Sequence, residues 1–279
     1  MVKRVAAVFG WPVKYSRSPL IHGYWLKEFG IDGDYVLRPV EPDNAQNFFA
    51  DFANSGFVGG NVTAPHKEIA FAACARRDPA AEATGALNTV WLEDGVLVGA
   101  NTDPSGFLAN FDEEVPGWDE KSGPAIVLGA GGAARAIVWA LMSRGFGPVH
   151  VVNRDPTRPK AIAKRLGDQV KPARWPDLPN LLKSARVLVN TTTLGMAGQP
   201  QLKIDLAPLP SDAVVNDIVY VPMDTGLLTA ARARKLRTAG GLGMLLHQAV
   251  PGFEKWFGKR PVVTAALRAL AQKSIAEST

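Results

Sequence analysis

The sequence predicts an α/β protein made of two α/β domains, and three observations carry that prediction. Short apolar runs alternate with helical stretches from the start of the chain. A glycine-rich turn, Gly129-Ala130-Gly131-Gly132-Ala133-Ala134, joins the apolar run Pro124-Ala125-Ile126-Val127-Leu128 to a helical stretch. That turn falls near the middle of the 279 residues, so a separate domain precedes it.

In the first domain, residues 5–9 form a strand that ends at Gly10-Trp11-Pro12. Ser18-Pro19 opens a helix, with Ser18 as N-cap candidate and Pro19 at the first helical position. Tyr35-Val36-Leu37 is a second strand, 42–54 a helix and 57–62 a third strand. Pro65 starts another helix, and residues 86–101 hold a hairpin that turns at Glu93-Asp94-Gly95. From about Gly106 to Gly240, strands at Ile126, Val149, Val187 to Asn190 and Ala213 to Asp217 alternate with helices, the pattern of a doubly wound parallel sheet. The tail from Leu242 is helical. The expected division is 1–105, 106–241 and 242–279, with the last segment packing back on the first domain.

The composition, 47% hydrophobic and 20% charged, is that of a soluble globular chain. No apolar run reaches the ~18 residues of a membrane helix. The opening stretch is broken by Pro12 and Lys14 and lacks a small-residue cleavage site, so it reads as a strand rather than a signal peptide. One cysteine, Cys74, excludes an internal disulfide and fits a reducing cytoplasm; its apolar helical setting makes it a buried inert thiol. The net charge of +5 gathers at 158–165 and 232–237 without aromatic interleaving, which favours solvated helix faces over nucleic-acid binding. Monomer and homodimer are both compatible with the sequence.

A strand feeding a glycine turn that opens a helix places bare N–H groups and a positive dipole end at one point, a seat for a pyrophosphate. The next apolar run, Val149-His150-Val151-Val152, ends in Asn153-Arg154, about 20–25 residues past the first glycine, where a dinucleotide fold reads the adenosine ribose. In the first domain, Ser16 and Ser18 put two hydroxyls at a helix mouth, where both could bond a carboxylate; capping alone is the plainer alternative. Lys67 follows Asn61-Val62-Thr63-Ala64-Pro65-His66 in a first helical turn, where a cation opposes the dipole and its proton is easier to give up. His66 beside it is a rival acid/base, and exposure of Lys67 to water is the plain reading. Asn88-Thr89 and Asn101-Thr102-Asp103 sit at the two ends of the hairpin, as site residues or as turn formers. The four histidines lack metal-ligand spacing, so no metal is expected.

Together these segments resemble the shikimate dehydrogenase family over nearly the whole chain. The resemblance continues in Asn190-Thr191-Thr192, in Asp217-Ile218-Val219-Tyr220-Val221-Pro222, and in the GLGMLLHQA segment at 241–249. It implies a Rossmann-type second domain and the reversible NADPH-dependent reduction of 3-dehydroshikimate to shikimate. It implies that Ser16, Ser18 and Tyr220 hold the substrate carboxylate, and that Thr63, Asn88 and Gln248 bind ring hydroxyls or the reacting carbonyl. Lys67 and Asp103 would form the catalytic pair in a cleft closed by hinge motion, with the nicotinamide near Ile218 and Gly241. Gly129, Ala130, Gly131, Gly132, Ala133, Thr191 and Thr192 would bind the cofactor.

Asn153 stands where NAD enzymes carry the acidic ribose ligand, and Arg154 and Arg158 can meet a 2′-phosphate, which favours NADP over NAD. Asp155 departs from the family pattern: it repels the phosphate if turned inward and is harmless as a turn residue or helix cap. Pro104-Ser105 is a second departure, expected to stiffen the link between domains. Competing readings are a quinate/shikimate dehydrogenase of broader specificity, often NAD-dependent, a non-catalytic nucleotide sensor, and a folate or tRNA redox enzyme with a similar late domain.

Overall fold

The computed structural model describes residues 3–277. Contacts gather the chain into two compact units: one runs to Thr102 and takes in Gln248–Lys273, and the other includes Asp103–His247. The first division lies at 102/103 rather than 105/106, and the return to the first unit begins at Gln248 rather than Leu242.

The first unit comprises β1 (Arg4–Gly10), α1 (Ser18–Glu28), β2 (Gly33–Pro39), α2 (Pro42–Ala50), β3 (Gly59–Val62), α3 (Lys67–Ala73), β4 (Arg76–Arg77), α4 (Pro79–Thr84), β5 (Thr89–Glu93) and β6 (Val96–Ala100). The strands form one mixed sheet in the order β2-β1-β3-β5-β6-β4. β1 pairs in parallel with β2 and β3, while β5 runs antiparallel to both β3 and β6. The β5–β6 hairpin turns through Asp94 and Gly95, both with positive φ (53° and 77°), as the favoured two-residue turn demands. Phe9 of β1 is fully buried and meets the rings of Phe48, Phe49, Phe52 and Phe57 with centroids 5.1–6.1 Å apart.

Three local expectations shift. The helix begun at Pro42 ends at Ala50, and a separate 3-10 turn at Phe52–Asn54 carries Phe52 into the Phe9 cluster. The helix expected from Pro65 starts at Lys67, which becomes its first residue. Ser18 does not cap α1: Arg17 precedes the helix and no side chain caps it.

The second unit comprises α5 (Asp103–Glu114), β7 (Ala125–Leu128), α6 (Gly132–Ser143), β8 (Val149–Val152), α7 (Thr157–Leu166), β9 (Val170–Ala173), α8 (Leu178–Leu182), β10 (Val187–Asn190), β11 (Val214–Asp217), α9 (Gly226–Ala233) and β12 (Arg237–Ala239). Its sheet has the order β12-β11-β10-β7-β8-β9, parallel throughout. Residues of β7, β8, β10 and β11 are buried on both faces, which explains their near-continuous apolar runs. Pro104-Ser105 is no linker: Asp103 and Pro104 open α5, and proline suits a first helical turn. A long helix, α10 (Gly241–Phe257), begins in this unit and continues into the first, followed by α11 (Ala265–Ala276), which belongs to the first unit as far as Lys273.

Among the described residues no helix is long and apolar enough to cross a membrane, and no group of three or more His, Cys, Asp or Glu side chains could hold a metal. Cys74 is buried, and burial pushes its thiol up to about 12, against the pull of Arg77.

Candidate active site

In the second unit the strand order reverses between β7 and β10, so the carboxyl ends of these neighbours form the switch point where open α/β sheets bind ligands. Gly129 follows β7 and Thr191 follows β10. Gly129 has φ +100°, and a Cβ there would stand 2.7 Å from Thr191 Oγ1. Thr191 in turn donates to Leu128 O through its N–H (2.8 Å) and its hydroxyl (2.6 Å). The turn is thus locked by the strand beside it, and only glycine permits the approach.

Past the turn, α6 starts at Gly132 with no side-chain cap, so its first N–H groups lack intrahelical partners. The space that a Cβ on Gly131 would take is open. Bare N–H donors beside an open glycine face at the start of a twelve-residue helix fit a diphosphate. Ala130 and Ala133 flank the same turn and are half-buried.

A buried network holds the loop after β11. Asn190 Oδ1 accepts from Thr192 N–H (3.0 Å) and Thr192 Oγ1 (2.7 Å), while Asn190 Nδ2 donates to Asp217 Oδ1 (2.9 Å). Asp217, wholly buried, also accepts from Val219 N–H (3.1 Å) and Thr225 Oγ1 (2.7 Å). Burial raises its carboxyl above the usual range and these donors oppose that rise. The anchored loop carries Ile218 and the half-buried Tyr220. Gly241 lies against it: a Cβ there would stand 2.2 Å from Ile218 O.

At the end of β8, Arg154 and Arg158 are exposed and Asn153 Nδ2 donates to Asp155 O (3.0 Å). Asp155 serves as a turn residue ahead of α7: Oδ1 accepts from Thr157 N–H (2.9 Å) and Thr157 Oγ1 (2.6 Å), and Oδ2 lies 3.6 Å from Arg158 Nε. The Thr157 hydroxyl and N–H hold this carboxyl below its ordinary value, with Arg158 adding to them.

In the first unit, Ser16 and Ser18 stand together at the mouth of α1. Ser16 Oγ donates to Ser18 Oγ (3.2 Å) and accepts from Ser18 N–H (3.2 Å). A second cluster gathers on Asn88, whose Nδ2 donates to Gln248 Oε1 (3.1 Å). Asn88 Oδ1 accepts from Thr89 Oγ1 (3.1 Å), Thr102 N–H (2.8 Å) and Thr102 Oγ1 (3.0 Å). Gln248 O lies 2.8 Å from Thr102 Oγ1 as well, so the one hydroxyl proton is shared between it and Asn88 Oδ1. Thr63 follows β3 and donates its N–H to Phe9 O (2.8 Å). Lys67 is half-buried at the first position of α3, and its carbonyl accepts from Leu87 N–H (3.2 Å). His66 is withdrawn as a rival: it is fully buried, and its Nε2 donates to Val40 O (2.6 Å). Asn101 has a fixed place too, donating to Thr84 Oγ1 (3.0 Å), Ala86 O (3.1 Å) and, through its N–H, Asp78 Oδ1 (3.0 Å).

The structure therefore brings Ser16 to Ser18, Asn88 to Gln248, Gly129 to Thr191 and Thr192, and Ile218 to Gly241. Lys67 belongs to the first unit, while Asp103 and Tyr220 belong to the second. The sequence assigns no site role to Asn61, Tyr35, Asn190, Asp217 or Thr225, yet Asn61 donates to Asn88 O (3.3 Å) and accepts from Tyr35 Oη (2.6 Å), and the other three hold the loop after β11. A polar residue inside an otherwise apolar strand, as at Asn61 and Asn190, was the available signal.

Three family models match the chain: a shikimate dehydrogenase substrate binding domain over 8–90, shikimate / quinate 5-dehydrogenase over 114–197, and a shikimate 5'-dehydrogenase C-terminal domain over 241–271. A shikimate dehydrogenase (NADP(+)) of Azorhizobium caulinodans is 57% identical over 275 residues, covering 99% of this chain and 98% of its own. Shikimate 5-dehydrogenase from Thermus thermophilus, solved with NADP(H) and shikimate, superposes with a TM-score of 0.84 at 32% identity, covering 99% and 100% of the two chains. Quinate dehydrogenase from Corynebacterium glutamicum, solved with NAD, gives a TM-score of 0.89 at 28% identity, covering 97% and 99%. With family models on both units and close identity along nearly its full length, this chain belongs to the shikimate dehydrogenase family.

Proposed function

We propose that this protein catalyses the reversible reduction of 3-dehydroshikimate to shikimate with NADPH. The observation that carries this reading is the 57% identity, over 99% of the chain, to a shikimate dehydrogenase (NADP(+)). The geometry of both units is compatible with it. The open N-terminus of α6 and the locked Gly129 turn suit the cofactor's diphosphate, with Thr191 and Thr192 as the buttress. Arg154, Arg158 and Asn153 suit the adenosine ribose and its 2′-phosphate, and Ile218 and Gly241 the nicotinamide end.

NADPH, when bound, supplies the hydride. The residues of the chain do the rest. Ser16 and Ser18 donate to the substrate carboxylate, with Tyr220 as a further donor. Thr63, Asn88 and Gln248 hold the ring oxygens; Asn88 and Gln248 are already fixed against each other, so little ordering cost remains on binding. Lys67 gives its proton to the carbonyl oxygen as charge develops there, and Asp103 is its acidic partner in the reaction. The single buried thiol suits work in the reducing cytoplasm.

A second reading, NAD-dependent oxidation of quinate, draws on the quinate dehydrogenase likeness and on the carboxylate of Asp155 beside Arg158. Absorbance at the reduced-nicotinamide band separates the two, with shikimate or quinate each offered NADP or NAD. Fast reduction only with shikimate and NADP supports the first reading. Comparable rates with quinate or NAD support the second, and silence in all four mixtures refutes both.

A further inference from the structure

Behind Ser18 lies a line of polar groups that the proposed reaction does not use. Tyr35 donates to Asn61 Oδ1 at 2.6 Å, and the Ser18 hydroxyl, one helical turn before His22 on α1, lies beside the Tyr35 phenol. Asn61 Oδ1 has a second donor, His22 Nε2, at 3.3 Å. Asn61 Nδ2 continues inward to Asn88 O (3.3 Å) and Thr89 Oγ1 (3.4 Å). Tyr35, His22, Ser18 and Asn61 are all buried.

The rings are held. His22 stacks on Tyr35 with centroids 4.1 Å apart and planes 21° apart, and Trp25, Phe253 and Trp256 enclose it at 5.2–6.0 Å. His22 Nδ1 is buried with no hydrogen-bond partner. A proton placed there would be an orphaned buried donor, so the imidazole carries its hydrogen on Nε2, aimed at Asn61.

In this arrangement the Ser16 hydroxyl donates to Ser18 and the Tyr35 phenol donates to Asn61. A carboxylate accepts only, so both serines must turn their protons outward to bind one. Once Ser18 turns, its oxygen has room for a donor from behind. We infer that Tyr35 is a positioning residue for the carboxylate seat, its phenol proton swinging from Asn61 Oδ1 to Ser18 Oγ when an anion binds. His22 makes the swing inexpensive, because its Nε2–H stays on Asn61 Oδ1 and leaves no buried acceptor bare. A serine that accepts from Tyr35 is also a stronger donor to the anion. The inference rests on the assignment of Ser16 and Ser18 to the substrate carboxylate.

The test is calorimetric titration of the full chain with shikimate and with its methyl ester, beside steady-state kinetics. Tyr35→Phe should weaken shikimate binding about three- to tenfold, the worth of one hydrogen bond, and leave kcat and the NADP Kd in place. The loss should vanish for the methyl ester and in a Ser18→Ala background. His22→Phe, which removes the reserve donor, should weaken shikimate in the same sense and serves if Tyr35→Phe folds poorly. Unchanged or tighter shikimate binding in Tyr35→Phe overturns the inference, as does an equal loss in the Ser18→Ala background. Wild-type shikimate affinity in Ser18→Ala alone would instead overturn the carboxylate assignment beneath it.

Discussion

Acid should destabilise the first unit through His22, and replacing His22 should remove that sensitivity. The imidazole is fully buried, and burial pushes its pKa down from 6.5 to about 3, with Asn61 pulling weakly upward. In the unfolded chain the same ring takes up a proton below about pH 6.5. Between those limits the unfolded state holds one more proton than the folded state, so stability falls as pH falls. Well below pH 6.5 each unit of pH costs on the order of 1 kcal/mol, so going from pH 7 to about pH 4.5 removes roughly 2 kcal/mol. His22→Gln cannot titrate. It loses ring packing against Tyr35, Trp25, Phe253 and Trp256, but that deficit does not depend on pH. Urea unfolding followed by tryptophan fluorescence should therefore show a gap between wild type and variant at pH 7 that shrinks by roughly 2 kcal/mol at about pH 4.5. Because carboxylates elsewhere titrate in both proteins, they cancel in the difference. A gap that stays constant across this range would refute the reasoning. An independent check is the imidazole 13C shift of His22, which should stay in the neutral range down to about pH 4.

Other perturbations follow from the same geometry. Lys67→Ala should lower kcat by about 10²–10⁴-fold while the NADP Kd is retained in titration calorimetry; unchanged turnover removes Lys67 from the mechanism. Asp155→Asn keeps the turn acceptor for Thr157 N–H but drops the charge beside Arg158; it should tighten NADP about threefold and leave NAD unchanged by fluorescence titration. Asp217→Ala leaves Asn190, Val219 and Thr225 without their shared acceptor. It should destabilise the second unit by about 2–4 kcal/mol in urea unfolding.

What a sequence displays is local, and the parts of this molecule that were legible are those whose cause is local. β7, β10 and β11 are read from their apolar runs because a parallel strand covered on both faces needs nothing else. The Asp94-Gly95 turn is read because the two residues themselves tolerate positive φ. β4, β9 and β12 escape notice: Arg76-Arg77, Val170-Lys171-Pro172-Ala173 and Arg237-Thr238-Ala239 carry no strand pattern and are extended because a neighbouring strand pairs with them. The end of α2 at Ala50 has the same kind of origin, since Phe52 leaves the helix to reach Phe9 on β1. The site divides along this line as well. The hydroxyls of Ser16 and Ser18 and the glycines at 129–132 stand close enough in sequence to be recognised as groups. Their supports lie far along the chain: Tyr35 binds Asn61 across 26 positions, Asn190 binds Asp217 across 27, and Thr191 reaches Leu128 across 63. Gly129 joins the two kinds. Its identity is visible as a turn residue, but the reason no other side chain fits there is a hydroxyl just past the end of a strand that the chain has yet to make.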